Sequence, residues 1–194
     1  MEFKDYKKYR WFYTSSKILV IGGKNAEQNE LLIKTLKEAK KEIIMMHTTE
    51  PGSPFSAILA EVKSVKEQDI KECAIFTASF SKAWKAGKKN ATVDMFKLSQ
   101  LNKSKLMKQG TWGVKGEIRR ISALLELVLA KQEGKLRAVP PLSVKSEKEV
   151  LLKIVPGKSD KNLMLPKLQI ALEESFSQDD LLSALPAGGI KIKK

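Results

Sequence analysis

The stretch "YRWFYTSSKILVIGGKNAEQNELL", residues 9–32, contains the strongest local signals of fold in the chain. Its first half holds two runs rich in aromatic and β-branched residues, "YRWFYT" and "KILVIG", separated by two serines, and this pattern predicts a β-hairpin. Two glycines end the second run. Asn25 is then placed to cap a helix whose early turns carry Glu27 and Glu30, where carboxylates suit the positive end of the helix dipole.

The glycine turn at the start of this helix is a candidate anion site, because free N–H groups at a helix start bind phosphate. Lys24 adds a positive charge beside it. The turn lacks the G-x-x-x-x-G-K-[ST] spacing of a nucleotide loop and, with only two adjacent glycines, the spacing of a dinucleotide fingerprint. Two hypotheses remain open: the turn holds one phosphate of a larger ligand, or it is a tight connection in which Asn29 and Glu30 bond to neighbouring loops.

The net charge of the chain points to a polyanionic partner. There are 36 Lys and Arg residues against 22 Asp and Glu, which gives a net charge of +14. Between Lys66 and Arg120 there are 13 basic and five acidic residues, so more than half of the net charge lies in little more than a quarter of the chain. Such a balance predicts binding to nucleic acid first and to an acidic membrane surface second. A lysine-rich surface that only serves solubility is the alternative.

Composition also limits the class of protein. The longest apolar runs fall far short of the ~20 residues of a membrane span, and the N-terminal segment has no signal-like apolar core, so we expect a cytoplasmic protein without a membrane partner. The single cysteine, Cys73, rules out an internal disulfide framework. One histidine and one cysteine do not make a structural zinc site, and no cofactor motif occurs, so no metal and no cofactor are predicted.

The remaining sequence alternates strand-like and helix-like segments. Strands are predicted at 42–47, 91–99, 124–131, 135–141 and 150–157, and helices at 66–85, 160–175 and 177–185, with a last strand in the tail. The proline- and serine-rich segment "PPLSVKSEKE" marks a predicted boundary. The sequence therefore predicts an α+β fold: a curved, mostly antiparallel sheet with two main helices in residues 1–143, and a small C-terminal α/β module, strand–helix–helix, in residues 144–194.

Four segments, in this order and spacing, resemble one known family. They are "YRWFYTSSKILVIGGKNAEQNELL", "MMHTTEPGSPF", "AIFTASFSKAWK" and "LMKQGTWGVKGEIRR". Together they resemble the NFACT-R domain, the RNA-binding C-terminal domain of NFACT proteins in ribosome quality control, and most of all its short stand-alone archaeal versions. The resemblance spans residues 8–140. It implies an α+β fold and RNA, either tRNA or ribosomal RNA, as the partner, with the ribosome as a further candidate.

The signature residues of the family carry over position by position. The glycine and A-x-x-N-E motif has Gly22, Gly23, Ala26, Asn29 and Glu30, and His47 is followed by the turn with Gly52 and Ser53. The F-S-x-x-W motif has Ser81 and Trp84, and the late glycine motif has Gly110, Gly113 and Gly116. Two positions depart from the family pattern. Ile43 and Pro54 stand where many members carry an acidic residue and a second histidine, which weakens any catalytic role that the resemblance implies. The additional domains of full-length members have no room here, so nascent-chain tailing is not assigned.

A basic segment with interleaved tryptophans supplies the candidate RNA contacts. Lysine and arginine take phosphates, and an indole stacks on an unpaired base. The predicted nucleic-acid-binding residues are Lys24, His47, Ser53, Lys82, Trp84, Lys85, Lys88, Lys89, Lys103, Lys105, Lys108, Trp112, Lys115, Arg119 and Arg120. Trp84 is also a candidate core residue, whereas Trp112, in a glycine-punctuated loop, is the better candidate for stacking.

Three functions are compatible with these features. The first is a protein of translation or ribosome quality control that binds tRNA or ribosomal RNA through a basic surface without catalysis. The second is an RNA-modifying enzyme whose polar pocket gathers His47, Asn29, Glu30 and Ser81. The third is a protein-interaction adaptor that contacts a protein partner through the C-terminal module. In the first case phosphate contacts dominate the affinity, which therefore falls with salt.

Overall fold

The computed structural model describes residues 3–172 and 174–193. Its strands are β1 Arg10–Tyr13, β2 Leu19–Gly22, β3 Ile44–Thr48, β4 Ser56–Ile58, β5 Asn90–Lys97, β6 Leu101–Asn102, β7 Gly113–Val114, β8 Arg119–Leu124, β9 Leu127–Gln132, β10 Lys135–Val139, β11 Leu152–Asp160 and β12 Gly189–Lys193. Its α-helices are α1 Ala26–Glu38, α2 Glu67–Ser79, α3 Lys82–Lys85, α4 Lys161–Ala171 and α5 Gln178–Ala184.

A six-stranded antiparallel sheet forms the centre of the molecule, in the strand order β1-β2-β4-β3-β5-β8. Its register aligns one apolar residue from each of five neighbouring strands in a single row: Trp11, Ile21, Ala57, Met45 and Phe96. Because side chains alternate between the two faces of a strand, this row fixes which face each strand presents to which helix.

The two faces of this sheet are covered by different helices. On one face, Leu32, Ile33 and Leu36 of α1 are fully buried in a cluster with the row that starts at Trp11. On the opposite face, Phe76 of α2 packs against Phe12, with ring centres 4.7 Å apart. Fully burying a large apolar side chain stabilises a fold by about 1.5–3 kcal/mol. The predicted α+β class with an antiparallel sheet and two main helices is confirmed.

The strand–strand–helix unit at the start of the chain forms as the local signals indicate. Strands β1 and β2 pair as a hairpin. The Asn25 side chain accepts a hydrogen bond from the Gln28 N–H at 2.8 Å, so it caps α1 as predicted. The helix predicted over residues 66–85 is wrong in one respect, because α2 ends at Ser79. Ser81 begins α3 instead: its hydroxyl accepts from the Ala83 N–H and donates to the Ala78 carbonyl.

A second antiparallel sheet, in the order β10-β9-β11-β12, joins the end of the chain to the rest. Strand β9 pairs with β11, Leu129 lying opposite Leu152 and Leu127 opposite Ile154. Leu168 of α4 is fully buried in the same apolar cluster as Phe12 of the first sheet. The predicted boundary between residues 143 and 144 therefore lies between strands that share one sheet, and the proline-rich segment is a surface connection within it.

The outer edge of β1 is covered by side chains from the β9–β10 hairpin. The amide of Gln132 accepts from the Tyr13 N–H at 2.7 Å and donates to the Tyr13 carbonyl at 2.9 Å. Arg137 Nε donates to the Trp11 carbonyl at 3.1 Å. The backbone groups that β1 turns away from β2 are thus bonded by side chains rather than by a seventh strand.

Two predicted elements include a residue that lies outside the described ranges. Glu173 is part of the predicted helix 160–175, and Lys194 is the last residue of the predicted tail strand. The tail strand itself is present as β12. None of the helices in the described ranges is both long and apolar enough to cross a membrane.

Candidate nucleic-acid interface

A cleft of about 510 Å³ opens at one end of the six-stranded sheet, and we call it the signature cleft. Its lining includes residues 23–26, 47–49, 51–55 and 109–112, together with Arg10 at the start of β1 and Asp94 of β5. The end of β2, the end of β3 and the start of β4 meet here, because in an antiparallel pair one strand begins beside the end of the other. The structure thus brings together most of the signature motifs that the sequence analysis singled out.

The glycine turn between β2 and α1 serves as a tight connection. Asn29, which is buried, accepts a hydrogen bond from the Phe55 N–H at 3.0 Å and so ties α1 to the start of β4. A Cβ atom on Gly23 would lie 2.2 Å from Asn29 Oδ1, which leaves no room for a side chain there. Of the two hypotheses for this turn, the geometry bears out the connection through Asn29. A phosphate contact at Lys24, which is exposed at the rim of the cleft, stays a prediction.

Glu30 anchors the loop of residues 103–112, which we call the basic loop. Its carboxylate accepts from Lys103 Nζ at 2.7 Å, from the Gly110 N–H at 3.0 Å and from Lys34 Nζ at 3.3 Å. Burial opposes ionisation of Glu30, but these three donors outweigh it and hold the pKa of the carboxyl below its usual value.

The basic loop is held tightly against the start of α1. Gly110 has a φ of +74°, and a Cβ atom there would lie 2.7 Å from Ala26 Cα. Lys103 also donates to the carbonyls of Lys108 and Thr111, at 2.9 and 3.1 Å. The ammonium of Lys103 is therefore engaged inside the protein, whereas Lys105 and Lys108 project from the loop and are exposed.

Trp112 closes one side of the signature cleft and remains partly exposed. The ammonium groups of Lys37 and Lys103 lie 5.8 and 5.4 Å from its ring centre, close enough for cation–π attraction. Within the described ranges its buried Nε1 has no hydrogen-bond partner. This tryptophan has the partly open position that base stacking requires.

His47 and Asp94 face each other across β3 and β5 inside the cleft. His47 Nδ1 lies 2.7 Å from the Thr48 carbonyl, so Nδ1 carries the proton and Nε2 is the acceptor. Burial lowers the pKa of His47, and the ring lies 4.5 Å from that of Phe55. Sequence reasoning missed Asp94 as a site residue, because its place opposite His47 depends on strand register.

Ser53 and Gly52 shape the turn that follows β3. The Ser53 hydroxyl accepts from the Thr48 N–H at 2.9 Å and donates to the Pro54 carbonyl. The Gly52 carbonyl accepts from the Lys82 N–H at 2.9 Å, which ties this turn to α3. Ser53 is buried, so its first role in the structure is to brace the turn around His47.

A second cleft of about 480 Å³ lies on the other side of the 48–51 turn. It is lined by Lys82, Lys88 and Arg120 among others, and by Ser81 at the start of α3. Two of these cations have acidic neighbours: Lys88 pairs with Glu50 at 2.8 Å, and Arg120 Nε lies 3.5 Å from Asp94. The second cleft is thus less strongly positive than its lysine count suggests.

The other predicted contacts differ in exposure and in pairing. Lys85, Lys89 and Lys115 are exposed, and Gly116 adopts a positive φ beside Gln100 in the same stretch as Lys115. Arg119 is paired with Glu67 through two hydrogen bonds at the outer edge of the sheet. Trp84 is a correction: it is fully buried, and its indole N–H donates to the Gly189 carbonyl at 3.0 Å. Neither face of the Trp84 ring is therefore open for a base to stack on.

Sequence reasoning also missed the two arginines next to the hairpin. Arg10 lines the signature cleft, with its guanidinium 4.6 Å from the ring centre of Phe80. Arg137 is 9% exposed and stacks on Trp11 at 4.7 Å. Burial lowers the pKa of both to about 10. Arg10 belonged to the quoted "YRWFYT" run, but a strand pattern does not reveal where its charge is placed.

The polar residues of the enzyme hypothesis do not converge on one point. His47 and Asn29 line the signature cleft, and Ser81 lines the second cleft. The Glu30 carboxylate is occupied by the basic loop. Across residues 3–172 and 174–193, no group of three or more His, Cys, Asp or Glu side chains is arranged to hold a metal ion.

Residues 8–116 match the family described as NFACT protein RNA binding domain. This match covers more than half of the chain, which therefore belongs to that family, as its motifs indicated. Over its whole length the chain is 32% identical to the archaeal Rqc2 homolog aRqcH of Methanocaldococcus jannaschii, in a match that covers 30% of that protein. It is also 32% identical over 84 residues, 42% of the chain, to the ribosome quality control complex subunit NEMF homolog of Drosophila melanogaster, of which the match covers 8%.

The chain thus spans less than a third of either relative. A solved structure with a related fold is that of the C-terminal part of the fibronectin/fibrinogen-binding protein from Streptococcus suis. The two chains superpose with a TM-score of 0.52 at 25% identity, over 60% of this chain and 44% of the streptococcal one.

Proposed function

We propose that this protein binds RNA, and that its ligand is a structured RNA of the translation machinery, tRNA or ribosomal RNA. The observation that carries the proposal is the signature cleft, where residues from the stretch that matches the NFACT protein RNA binding domain family lie beside cations and a partly exposed tryptophan. The Drosophila relative is named as a subunit of the ribosome quality control complex and the archaeal one as an Rqc2 homolog. For this reason the proposal includes a role in ribosome quality control, at the ribosome in the cytoplasm.

The chemistry of the cleft suits an RNA strand that passes over the basic loop. Lys105 and Lys108 are exposed and face no carboxylate among the described residues, so both can neutralise phosphates. Trp112 offers a face to an unpaired base, and stacking on an aromatic ring does not depend on base identity. Phosphate contacts would then supply most of the affinity, and the shape and unpaired bases of the RNA its selectivity.

Salt dependence tests this proposal. We expect purified protein to bind tRNA at about 100 mM salt, with log affinity falling linearly as log salt rises. The double variant Lys105→Gln and Lys108→Gln should reduce the slope by about 1.5–2, because each lost phosphate contact removes most of one released counterion. A matched double variant, Lys63→Gln and Lys148→Gln, removes the same charge from exposed positions away from the loop.

Two results would contradict the proposal. One is no binding to tRNA or to ribosomal RNA fragments at this salt concentration. The other is an equal change of slope in both double variants, which would mean that only total charge matters.

A protein partner is a second candidate for the C-terminal part of the chain. On α4, Leu163 and Ile170 are 76% and 80% exposed, and their spacing of seven residues places them on the same side of the helix. Exposed apolar pairs of this kind suit a contact with another protein. Co-purification that resists ribonuclease and is lost in a Leu163→Ser, Ile170→Ser variant would support it.

A further inference from the structure

Four cations gather beside the signature cleft at the start of β1, and we call them the cation cluster: Arg10, Lys24, Arg137 and Lys161. Burial is the main cause of a lowered pKa in each of the last three, and the positive charge of Arg10 lowers each of them further. Arg10 and Lys24 line the same cleft, and Arg137 bonds to the carbonyl of Trp11, the residue after Arg10, so these three charges lie near one another although they come from separate parts of the chain.

Both arginines of the cluster are held in fixed positions. The Arg10 guanidinium stacks on Phe80, and that of Arg137 stacks on Trp11 while its Nε donates to the Trp11 carbonyl. The terminal nitrogens of Arg137 make no hydrogen bond to any described residue, although the side chain is 9% exposed. Aromatic stacking fixes each planar fork but does not neutralise its charge.

Of these four cations, Lys161 alone has a carboxylate near it among the described residues: Asp160 opposes the lowering of its pKa. Among residues 3–172 and 174–193, neither Arg10 nor Lys24 nor Arg137 forms an ion pair, whereas Lys88, Lys103 and Arg119 elsewhere all do. Placing like charges together away from water costs free energy unless an anion neutralises them. Arg10 and Lys24 both line the signature cleft, so an anion from solution can reach them there.

We propose that the cation cluster is a phosphate-binding site, with Arg10 and Lys24 as the contacting groups and Arg137 and Lys161 as supporting charges. Arginine recognises phosphate with two parallel hydrogen bonds, and a guanidinium already fixed by stacking loses little freedom on binding. The phosphate can be a backbone diester or a terminal monoester; that it belongs to an RNA rests on the proposed function. The exposed lysines of the basic loop, in contrast, attract the polyanion without a fixed geometry.

The first measurement uses inorganic phosphate as the probe. We expect the melting temperature of the full chain to rise when phosphate replaces chloride at constant ionic strength. Arg10→Gln should remove this increase without unfolding the protein, because it relieves a buried charge that has no acidic partner. Arg10→Lys should keep part of the increase in melting temperature. The control variant Lys63→Gln should keep all of the increase, because that side chain is 87% exposed. The inference is overturned if phosphate has no effect on the wild type, or the same effect on Arg10→Gln.

The second measurement distinguishes the sources of the phosphate. One short oligoribonucleotide is compared with and without a 5′-phosphate. If the site takes a terminal monoester, the phosphorylated form binds more tightly to the wild type and Arg10→Gln removes the difference. If it takes a backbone diester, both forms bind equally and Arg10→Gln weakens both by about tenfold. RNA binding by Arg10→Gln that equals the wild type for both forms would overturn the inference. Absence of RNA binding together with phosphate stabilisation would reject the proposed function and leave the phosphate site standing.

Discussion

The cationic side chains of the basic segment differ in what each of them contacts, and this difference separates structural residues from candidate ligand contacts. Lys103 lies between Glu30 and two carbonyls, so its loss would release the loop before it affected any ligand. Lys105 and Lys108, only a few residues away, are free in solvent. A variant that replaces all three together would mix loss of folding with loss of binding, and the two exposed lysines are therefore the cleaner test.

Trp112 gives the sharpest prediction for a single residue. We expect Trp112→Ala to weaken binding to single-stranded RNA by about tenfold or more, because one stacked base contributes about 1–3 kcal/mol. Trp112→Phe should keep most of the affinity, since a phenyl ring also stacks. Fluorescence anisotropy of a labelled oligonucleotide measures both. Equal losses in the two variants would indicate that the tryptophan only supports the loop.

The basic loop depends as an element on one carboxylate in α1. We expect Glu30→Gln to destabilise the protein by about 1–2 kcal/mol, because the Lys103 ammonium loses its charged partner inside the protein. Glu27→Gln is the matched control, since Glu27 is exposed one turn earlier on the same helix. Denaturant unfolding at neutral pH measures the difference, and equal stability of the two variants would contradict this account.

The same contact predicts a pH dependence with a definite sign. The pKa of Glu30 is lowered in the folded protein, so its contribution to stability is complete above the usual glutamate pKa and is lost as the pH falls through the lowered value. Wild type and Glu30→Gln should therefore differ in unfolding free energy at neutral pH and converge once the pH has fallen below the lowered pKa of Glu30. A difference that stays constant over this range would exclude the ionised carboxylate as its source.

The elements built from local signals were predictable from the sequence, and the long-range contacts of the site were not. The hairpin and α1 depend on turn residues and a cap that lie within residues 9–38. The contact between Lys103 and Glu30 joins residues 73 positions apart, and that between Arg137 and Trp11 joins residues 126 positions apart. No periodic pattern specifies such pairs. The break of the predicted helix at Ser81 is different, because a serine before "KAWK" is a recognisable cap signal.

At the scale of the whole molecule, the two sheets share one apolar core. Leu168 and Leu163 lie on the same helix, but Leu168 is fully buried against that core and Leu163 is 76% exposed. We expect Leu168→Ala to cost about 2–5 kcal/mol and Leu163→Ala to cost little. Because strands on both sides of residue 144 are paired, Leu168→Ala should shift a single cooperative transition. Two separate transitions in thermal unfolding would instead support an independently folding C-terminal domain.

The amide of Gln132 has a consequence for how this molecule meets its own copies. By bonding both backbone groups of Tyr13, it occupies the place of an added strand, so the β1 side of the six-stranded sheet offers no template for another chain. On the opposite side, β8 pairs only with β5 among the described residues. If a sheet can be extended on one side but not on the other, two copies can pair about a two-fold axis and no third copy can be added. Growth into a fibre requires both sides. The side chains of Gln132 and Arg137 thus leave the β8 side of this sheet as the one at which a second copy could pair.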